Sequence, residues 1–226
     1  NPASRAGFFF AQAYNESIQG PTGDLEVNAY LTRALPIAAV LLMAAAPAYP
    51  AEKSIAIDGG SFRCIRQMTP VRHFYVDNLL GQIEGTLAAA NSTTGAAYPV
   101  GSVVQLVPTE AMVKREKDFN PATGDWEFFD LDVSADGTKV LTRGFAEVNN
   151  RFGKNCFTCH VPAREPWDFI CETGHGCEPI PIDHAMTGAL QRSDPRCGAA
   201  ALQPGDRWAL WKLKAFVVIG WLRNLF

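Results

Sequence analysis

The sequence lacks an excess of positive charge, and it lacks repeats. Its 226 residues include 20 Lys and Arg against 23 Asp and Glu, a formal net charge of −3. Nucleic-acid binding calls for a basic patch, so this balance argues against a nucleic-acid partner. No internal repeat or low-complexity tract stands out. A hydrophobic content of 47% and a charged content of 19% are ordinary for a globular protein of one domain, or two small ones.

A membrane-length apolar run is also missing. The apolar run at 34–46 follows Arg33 and ends at the small-residue site Ala46-Pro47-Ala48. It is shorter than the roughly 20 residues that span a bilayer. These features predict a secretory signal peptide over residues 27–48, with a buried core helix as the alternative. We therefore expect a periplasmic protein, in a compartment where disulfides persist.

The position of this signal peptide within the chain needs an explanation, because signal peptides begin at the N-terminus. We predict that translation starts near Val27, from an alternative start codon, and that residues 1–26 are upstream read-through. N-terminal sequencing of the natural protein tests this prediction. A mature chain that begins before Leu31 would contradict it.

The rest of the chain predicts an α+β fold. Near-helical spacing of apolar residues predicts a helix over 71–90, after an irregular lead-in at 52–70. Short segments separated by turn formers then predict an antiparallel meander, since parallel strands need long crossovers. The four segments are 101–108, 110–118, 125–133 and 138–145. Residues 132–137, which include the connector at 134–137, resemble the start of a calcium loop, but the twelfth position is Arg143 where that loop needs Glu, so a hairpin turn is predicted.

Proline is frequent from Pro162 to Pro204, which disfavours long helices and central strands there. Residues 206–226 are aromatic and compatible with a helix. Lys212, Lys214 and Arg223 do not share one helical face, so a clean membrane-surface helix is not indicated. The simpler interpretation is a C-terminal helix packed on a domain that spans 52–205. The alternative for this helix is loose contact with a membrane. The chain is also a candidate homodimer.

The sharpest motif is Cys156-Phe157-Thr158-Cys159-His160. In C-x-x-C-H, two thiols add to the vinyl groups along one haem edge and the adjacent imidazole reaches the iron. The motif predicts covalently attached haem c, with thioethers at Cys156 and Cys159 and His160 as the iron ligand. A redox dithiol would expect a βαβ context, and a zinc site would expect a second spaced ligand pair. Cys171 and Cys177 are spaced more widely than the usual zinc-binding pair.

Four other cysteines remain, and they allow three disulfide pairings. We favour Cys171 with Cys177, because the loop between them is short and contains glycine, and hence Cys64 with Cys197.

Further axial ligands for the iron are scarce after the motif: the only later methionine is Met186. The remaining histidines, His73, His175 and His184, are expected at the surface or behind the ligands. The iron is then five-coordinate, or closed by a residue from the sheet.

Residues 70–182 resemble the cytochrome P-460 and cytochrome c′-beta group of periplasmic haem proteins. The resemblance rests on "YPVGSVVQLV", on "AMVKREKDF" followed by "DWEFFDLDV", and on the late "NCFTCH". It implies an antiparallel sheet flanked by helices, with haem c held between the sheet and the motif. Members bind nitric oxide or carbon monoxide, and some oxidise hydroxylamine. It also implies that a lysine is cross-linked to the haem. Lys114 is the first positional candidate for this lysine, and Lys117 is the second. A solvated strand lysine is the alternative for both.

The sequence therefore predicts a mono-haem c-type cytochrome that binds or oxidises small nitrogen species and has a periplasmic redox partner. The alternatives are an electron carrier with six-coordinate iron and the haem module of a larger periplasmic assembly. Opposite His160 we expect an apolar cover from the sheet, which favours nitric oxide or carbon monoxide over dioxygen. Its candidates are Val104, Leu106, Phe128 and Phe129, and strand alternation sends Phe128 and Phe129 to opposite faces.

Overall fold

The computed structural model describes residues 54–199 and 201–223, so the predicted read-through segment and signal peptide lie outside the described residues. This part of the chain has the predicted α+β class, and its sheet has six strands, two more than the four predicted segments, with four α-helices. The strands are β1 (Thr69–Val71), β2 (Phe74–Asn78), β3 (Ser102–Gln105), β4 (Glu110–Lys114), β5 (Trp126–Ser134) and β6 (Gly137–Gly144). The helices are α1 (Ile83–Ala90), α2 (Cys156–His160), α3 (His184–Arg192) and α4 (Asp206–Arg223).

The six strands form one sheet in the order β1-β2-β3-β4-β5-β6, and each pairs antiparallel with the next. The antiparallel meander is therefore confirmed. The connector between β5 and β6 is the hairpin turn that the incomplete calcium loop predicted, with Ser134 opposite Gly137.

Each face of the sheet carries its own apolar core, because side chains alternate along a strand. One core lies on the side of the cysteine motif, and we call this side the site face; it includes Val76, Val104, Met112, Trp126 and Phe128. Phe62 and Ile65, from the segment before β1, pack on the other side, which we call the lead-in face. That core also contains Val103, Val113, Phe129 and Leu131.

The helix predicted over 71–90 is wrong in its first half. There Val71 ends β1, Arg72 and His73 form a tight turn and 74–78 form β2, and only 83–90 is helical. Burial alternates along β2, with Phe74, Val76 and Asn78 inside. Arg72 in the turn has a φ of 51°, which a continuing helix would not allow. The apolar residues fit both periods over so short a stretch, and pairing with β3 decides in favour of the strand.

The proline-rich segment contains the nine-residue helix α3, whose first turn is capped by the Asp183 carboxylate, 2.8 Å from the Met186 amide. A charged pair joins α3 to α4, with Arg192 donating to Asp206 at 2.7 Å. None of the helices that the structure describes has the length and apolarity to cross a membrane.

Candidate functional site

The six cysteines separate into two chemical classes. Cys64 is bonded to Cys197, and Cys171 is bonded to Cys177, so both favoured pairings are confirmed. The two cysteines of the C-x-x-C-H motif remain free thiols. The second cysteine pair that a zinc site would need is consumed by a disulfide, and the zinc alternative loses its ligands.

The motif forms the helix α2, and Asn155 fixes where that helix begins. The Asn155 side chain accepts a hydrogen bond from the Thr158 amide at 2.9 Å. Its amide group donates to the carbonyls of Phe145, Ala146 and Val148 at 3.0–3.1 Å. An asparagine at this position satisfies amides that the first helical turn leaves unpaired. The two thiols and the imidazole are therefore presented by one short, capped helix.

The His160 side chain is oriented by the backbone. Its Nδ1 lies 2.7 Å from the Phe169 carbonyl oxygen, which can only accept, so Nδ1 carries the proton. The other ring nitrogen, Nε2, is then the one with a lone pair for a metal. Burial lowers the pKa of His160, which favours the neutral imidazole that metal binding requires.

The environment of Cys156 argues against a redox dithiol. Burial raises the pKa of the Cys156 thiol to about 12, with the carboxylates of Glu110 and Asp130 adding to this effect. Reactive dithiols have the opposite property, a lowered pKa that supplies thiolate at neutral pH. All strand pairs in the sheet are antiparallel, so the βαβ context of thioredoxin-like proteins is also missing from the described sheet.

Aromatic rings connect the motif to the site face. The Phe128 ring lies 5.4 Å from the His160 ring and 6.3 Å from that of Phe157, measured between centroids. Phe129 points the other way and packs on Phe62 at 5.0 Å. The structure therefore brings Phe128, but not Phe129, to the motif. Val104 belongs to the same buried core as Phe128, and Leu106 packs against that core.

The residues present fit a covalently attached haem. Two free thiols one helical turn apart would hold its vinyl-derived carbons, and Nε2 of His160 would hold the iron. Beside Cys159 lies an open groove of about 320 Å³, and neither Cys156 nor His160 lines it. Its lining consists of Lys154, Asn155, Thr158, Cys159, Pro162 and Glu178.

Lys114 is not the solvated strand lysine that was the alternative for it. Its Nζ lies 2.6 and 2.7 Å from the two carboxylate oxygens of Asp168, and both side chains are only 12% exposed. The same carboxylate accepts from the Tyr98 amide at 2.7 Å. Lys114 pairs with Trp126 across the sheet, so it lies on the site face. Lys117 is exposed.

The other histidines lie in two different settings. His73 is in the turn before β2, with its ring 5.1 Å from that of His184. His175 stacks on Trp167 at 3.8 Å and hydrogen-bonds the Ile170 carbonyl at 2.7 Å. None of these contacts joins them to His160.

Sequence reasoning missed Asp168 and Phe169, which hold Lys114 and His160. Asp168 is 54 positions from Lys114 and Phe169 is nine positions from His160, and no local pattern marks either residue. Both have positive φ, 47° and 64°, in a turn that aims a carboxylate and a carbonyl at different partners.

Comparison of the chain with models of protein families, with curated proteins and with solved structures found no match.

Proposed function

We propose that this chain is an exported mono-haem c-type cytochrome that binds or oxidises small nitrogen species such as nitric oxide or hydroxylamine. One observation carries the proposal. In a chain whose other cysteines are paired as disulfides, the two free thiols precede a histidine whose Nδ1 is occupied and whose Nε2 is available. Covalent attachment of haem uses this combination of groups.

The site face supports gas binding over stable binding of dioxygen. A bound haem would supply an iron that takes up a diatomic ligand. Beside His160 the sheet presents Phe128, whose partner across the strand pair is Met112, and both residues are buried. Such side chains offer no strong hydrogen-bond donor to a polar ligand, and pocket polarity governs this choice.

The ion pair of Lys114 favours gas binding over the cross-linked, hydroxylamine-oxidising form of the family that the chain resembles. A lysine that forms a covalent bond through Nζ must give up its ammonium proton and its carboxylate partner. Here the Asp168 carboxylate contacts Nζ with both oxygens in a largely buried site. Separation of such a pair leaves a buried charge without a partner, which costs several kcal/mol, about 3–5.

A second candidate function is electron transfer with six-coordinate iron, and Met112 is the observation that favours it. Its thioether is buried on the site face, in the same apolar core as Cys156 and Phe128. A thioether opposite a histidine is a known ligand pair for haem iron in electron carriers.

The proposal is tested by producing the chain together with the cytochrome c maturation machinery. We expect haem to stay attached in a denaturing gel and to resist acid-acetone extraction. Ferrous protein should show a five-coordinate spectrum that changes on addition of nitric oxide. The Cys156→Ala/Cys159→Ala variant should lose the attached haem, whereas Cys171→Ala/Cys177→Ala, which also removes two sulfurs, should keep it. Colour that is lost on extraction would overturn the proposal, and a six-coordinate ferrous spectrum that Met112→Ala converts would favour the electron carrier.

The two adjacent phenylalanines give a sharper prediction for the ligand side. Phe128→Leu should change carbon monoxide association with ferrous protein severalfold, because Phe128 lies against the motif. Phe129→Leu should leave association unchanged, although both rings are only 1% exposed and similar losses of stability are expected. Stopped-flow association at several carbon monoxide concentrations makes the comparison. Equal effects of the two substitutions would contradict the placement of Phe128, but not Phe129, beside the motif.

A further inference from the structure

Helix α4 presents an exposed face that mixes tryptophan with basic residues. Arg207, Trp211, Lys214 and Val218 follow one another at intervals of four, three and four residues, so they share one side of the helix. All four are exposed, with Trp211 at 58%. Trp208 is exposed to the same extent, and its ring stacks on that of Trp211 at a centroid distance of 4.8 Å. We call these five residues the tryptophan face.

Other residues hold α4 against the domain. Ala209 is buried, and the ion pair between Arg192 and Asp206 ties its first turn to α3. Farther along, the Phe216 ring lies 6.2 Å from that of Phe152. The helix is therefore fixed on the domain through one side and displays the tryptophan face on another.

The charge of this face is of one sign. Asp206 is the only acidic residue between 206 and 226, and Arg192 neutralises it. Arg207 and Lys214 therefore make the tryptophan face positive, in a chain whose formal net charge is −3. A positive face on a chain of negative net charge selects for an anionic partner surface.

The residue types distinguish between two anionic partners, an acidic protein and a lipid surface. Tryptophan and arginine are enriched at protein–protein interfaces, but lysine is depleted from them, so Lys214 is the residue that discriminates. At a bilayer, by contrast, lysine and arginine extend their charged ends to the headgroups while tryptophan sits at the level of the interface. Lys214 lies one turn from Trp211, in the middle of the face. We infer that α4 binds peripherally to the surface of a bilayer that contains anionic phospholipids. This inference does not depend on the haem proposal.

The sequence alone argued against this, because Lys212, Lys214 and Arg223 do not share a face. The structure changes the relevant set of cations. Lys212 turns toward the Asp183 carboxylate, 4.0 Å away. Arg207, two turns before Lys214 on the same face, is the second cation.

The test is sedimentation of the mature chain with vesicles of phosphatidylcholine alone and of phosphatidylcholine mixed with phosphatidylglycerol. We expect binding to the anionic vesicles only, weakened by salt. Arg207→Gln/Lys214→Gln should weaken it about 30-fold, because each basic residue near such a surface contributes about one kcal/mol. Trp208→Ala/Trp211→Ala should abolish it. The control Lys117→Gln/Lys139→Gln removes two exposed cations elsewhere and should bind as the parent does.

Three outcomes would overturn the inference. The first is no binding to anionic vesicles, and the second is equal weakening by the control variant. The third is binding to a second copy or to an acidic protein in place of lipid. Light scattering after size-exclusion chromatography, run on the parent and on Trp208→Ala/Trp211→Ala, would detect a dimer held by this face.

Discussion

Replacing Cys64 and Cys197 with alanine should lower the free energy of unfolding by about 5 kcal/mol, the largest loss expected from any pair of substitutions considered for this chain. The two residues are 133 positions apart, so their bond removes more conformational entropy from the unfolded chain than a short loop can. Asp194, close to Cys197, accepts from the Ile65 amide at 2.9 Å, and the bridge keeps these two segments together. Urea unfolding followed by circular dichroism gives the comparison.

The second disulfide is the internal control. Cys171 and Cys177 are six positions apart, and the same entropy model gives about 2 kcal/mol for Cys171→Ala/Cys177→Ala. The difference between the two pairs tests the length dependence without changing the number of sulfurs removed. Equal losses from both pairs would contradict the role assigned to the long bridge.

Lys114→Met should lower the free energy of unfolding by about 3–5 kcal/mol, because it leaves the Asp168 carboxylate buried without its cation. Asp168→Asn in the same chain should recover part of this loss, since the pair then contains no uncompensated charge. A double-mutant cycle over these variants measures the coupling. The matched control is Lys154→Met, which breaks the exposed pair with Glu178 and should leave stability nearly unchanged.

The loss caused by Lys114→Met should also depend on pH. Burial already raises the pKa of Asp168, and Lys114 opposes that rise. Without the lysine, the folded-state pKa rises further above the unfolded value, so the folded variant takes up a proton more readily than the unfolded chain. The deficit should be largest at neutral pH and should shrink as the pH falls through the folded-state pKa. A deficit that is constant from neutral to acidic pH, or no greater than that of Lys154→Met, would contradict the ion-pair interpretation.

Local patterns in the sequence predict the parts of this fold that form between residues close together in the sequence. The short segments with turn formers between them predict the meander, and the glycine-containing loop from Cys171 predicts its disulfide. The same kind of pattern misassigns 71–78, where apolar residues fit a helix and a strand equally well. Pairing of β2 with β3 decides that case, and the partner strand is not visible in a single window of sequence.

The candidate site, like the fold, is predicted only in part by local patterns in the sequence. The spacing of Cys156, Cys159 and His160 is enough to suggest haem attachment, because the reacting groups are consecutive. Their supporting contacts come from 168–169, which is remote from Lys114 in sequence. The sequence predicts that Phe128 and Phe129 point to opposite faces of the sheet, but it does not say which of them points to the motif. The pairing register of β5 with β4 places Phe128 opposite Met112, on the site face.

The strand order described above has a consequence for aggregation. A six-stranded open sheet leaves two outer edges, which could add strands from other molecules. On β1 the edge is three residues long and contains Pro70, which has no amide hydrogen to donate. On β6 the chain around Gly59 lies so close that a side-chain carbon there would be 2.0 Å from the Thr138 carbonyl oxygen, and Thr138 donates to the Phe62 carbonyl at 2.9 Å. Both edges of the sheet are therefore poor templates for intermolecular strand pairing. This protects the chain from forming fibres, although its strands are rich in β-branched and aromatic residues.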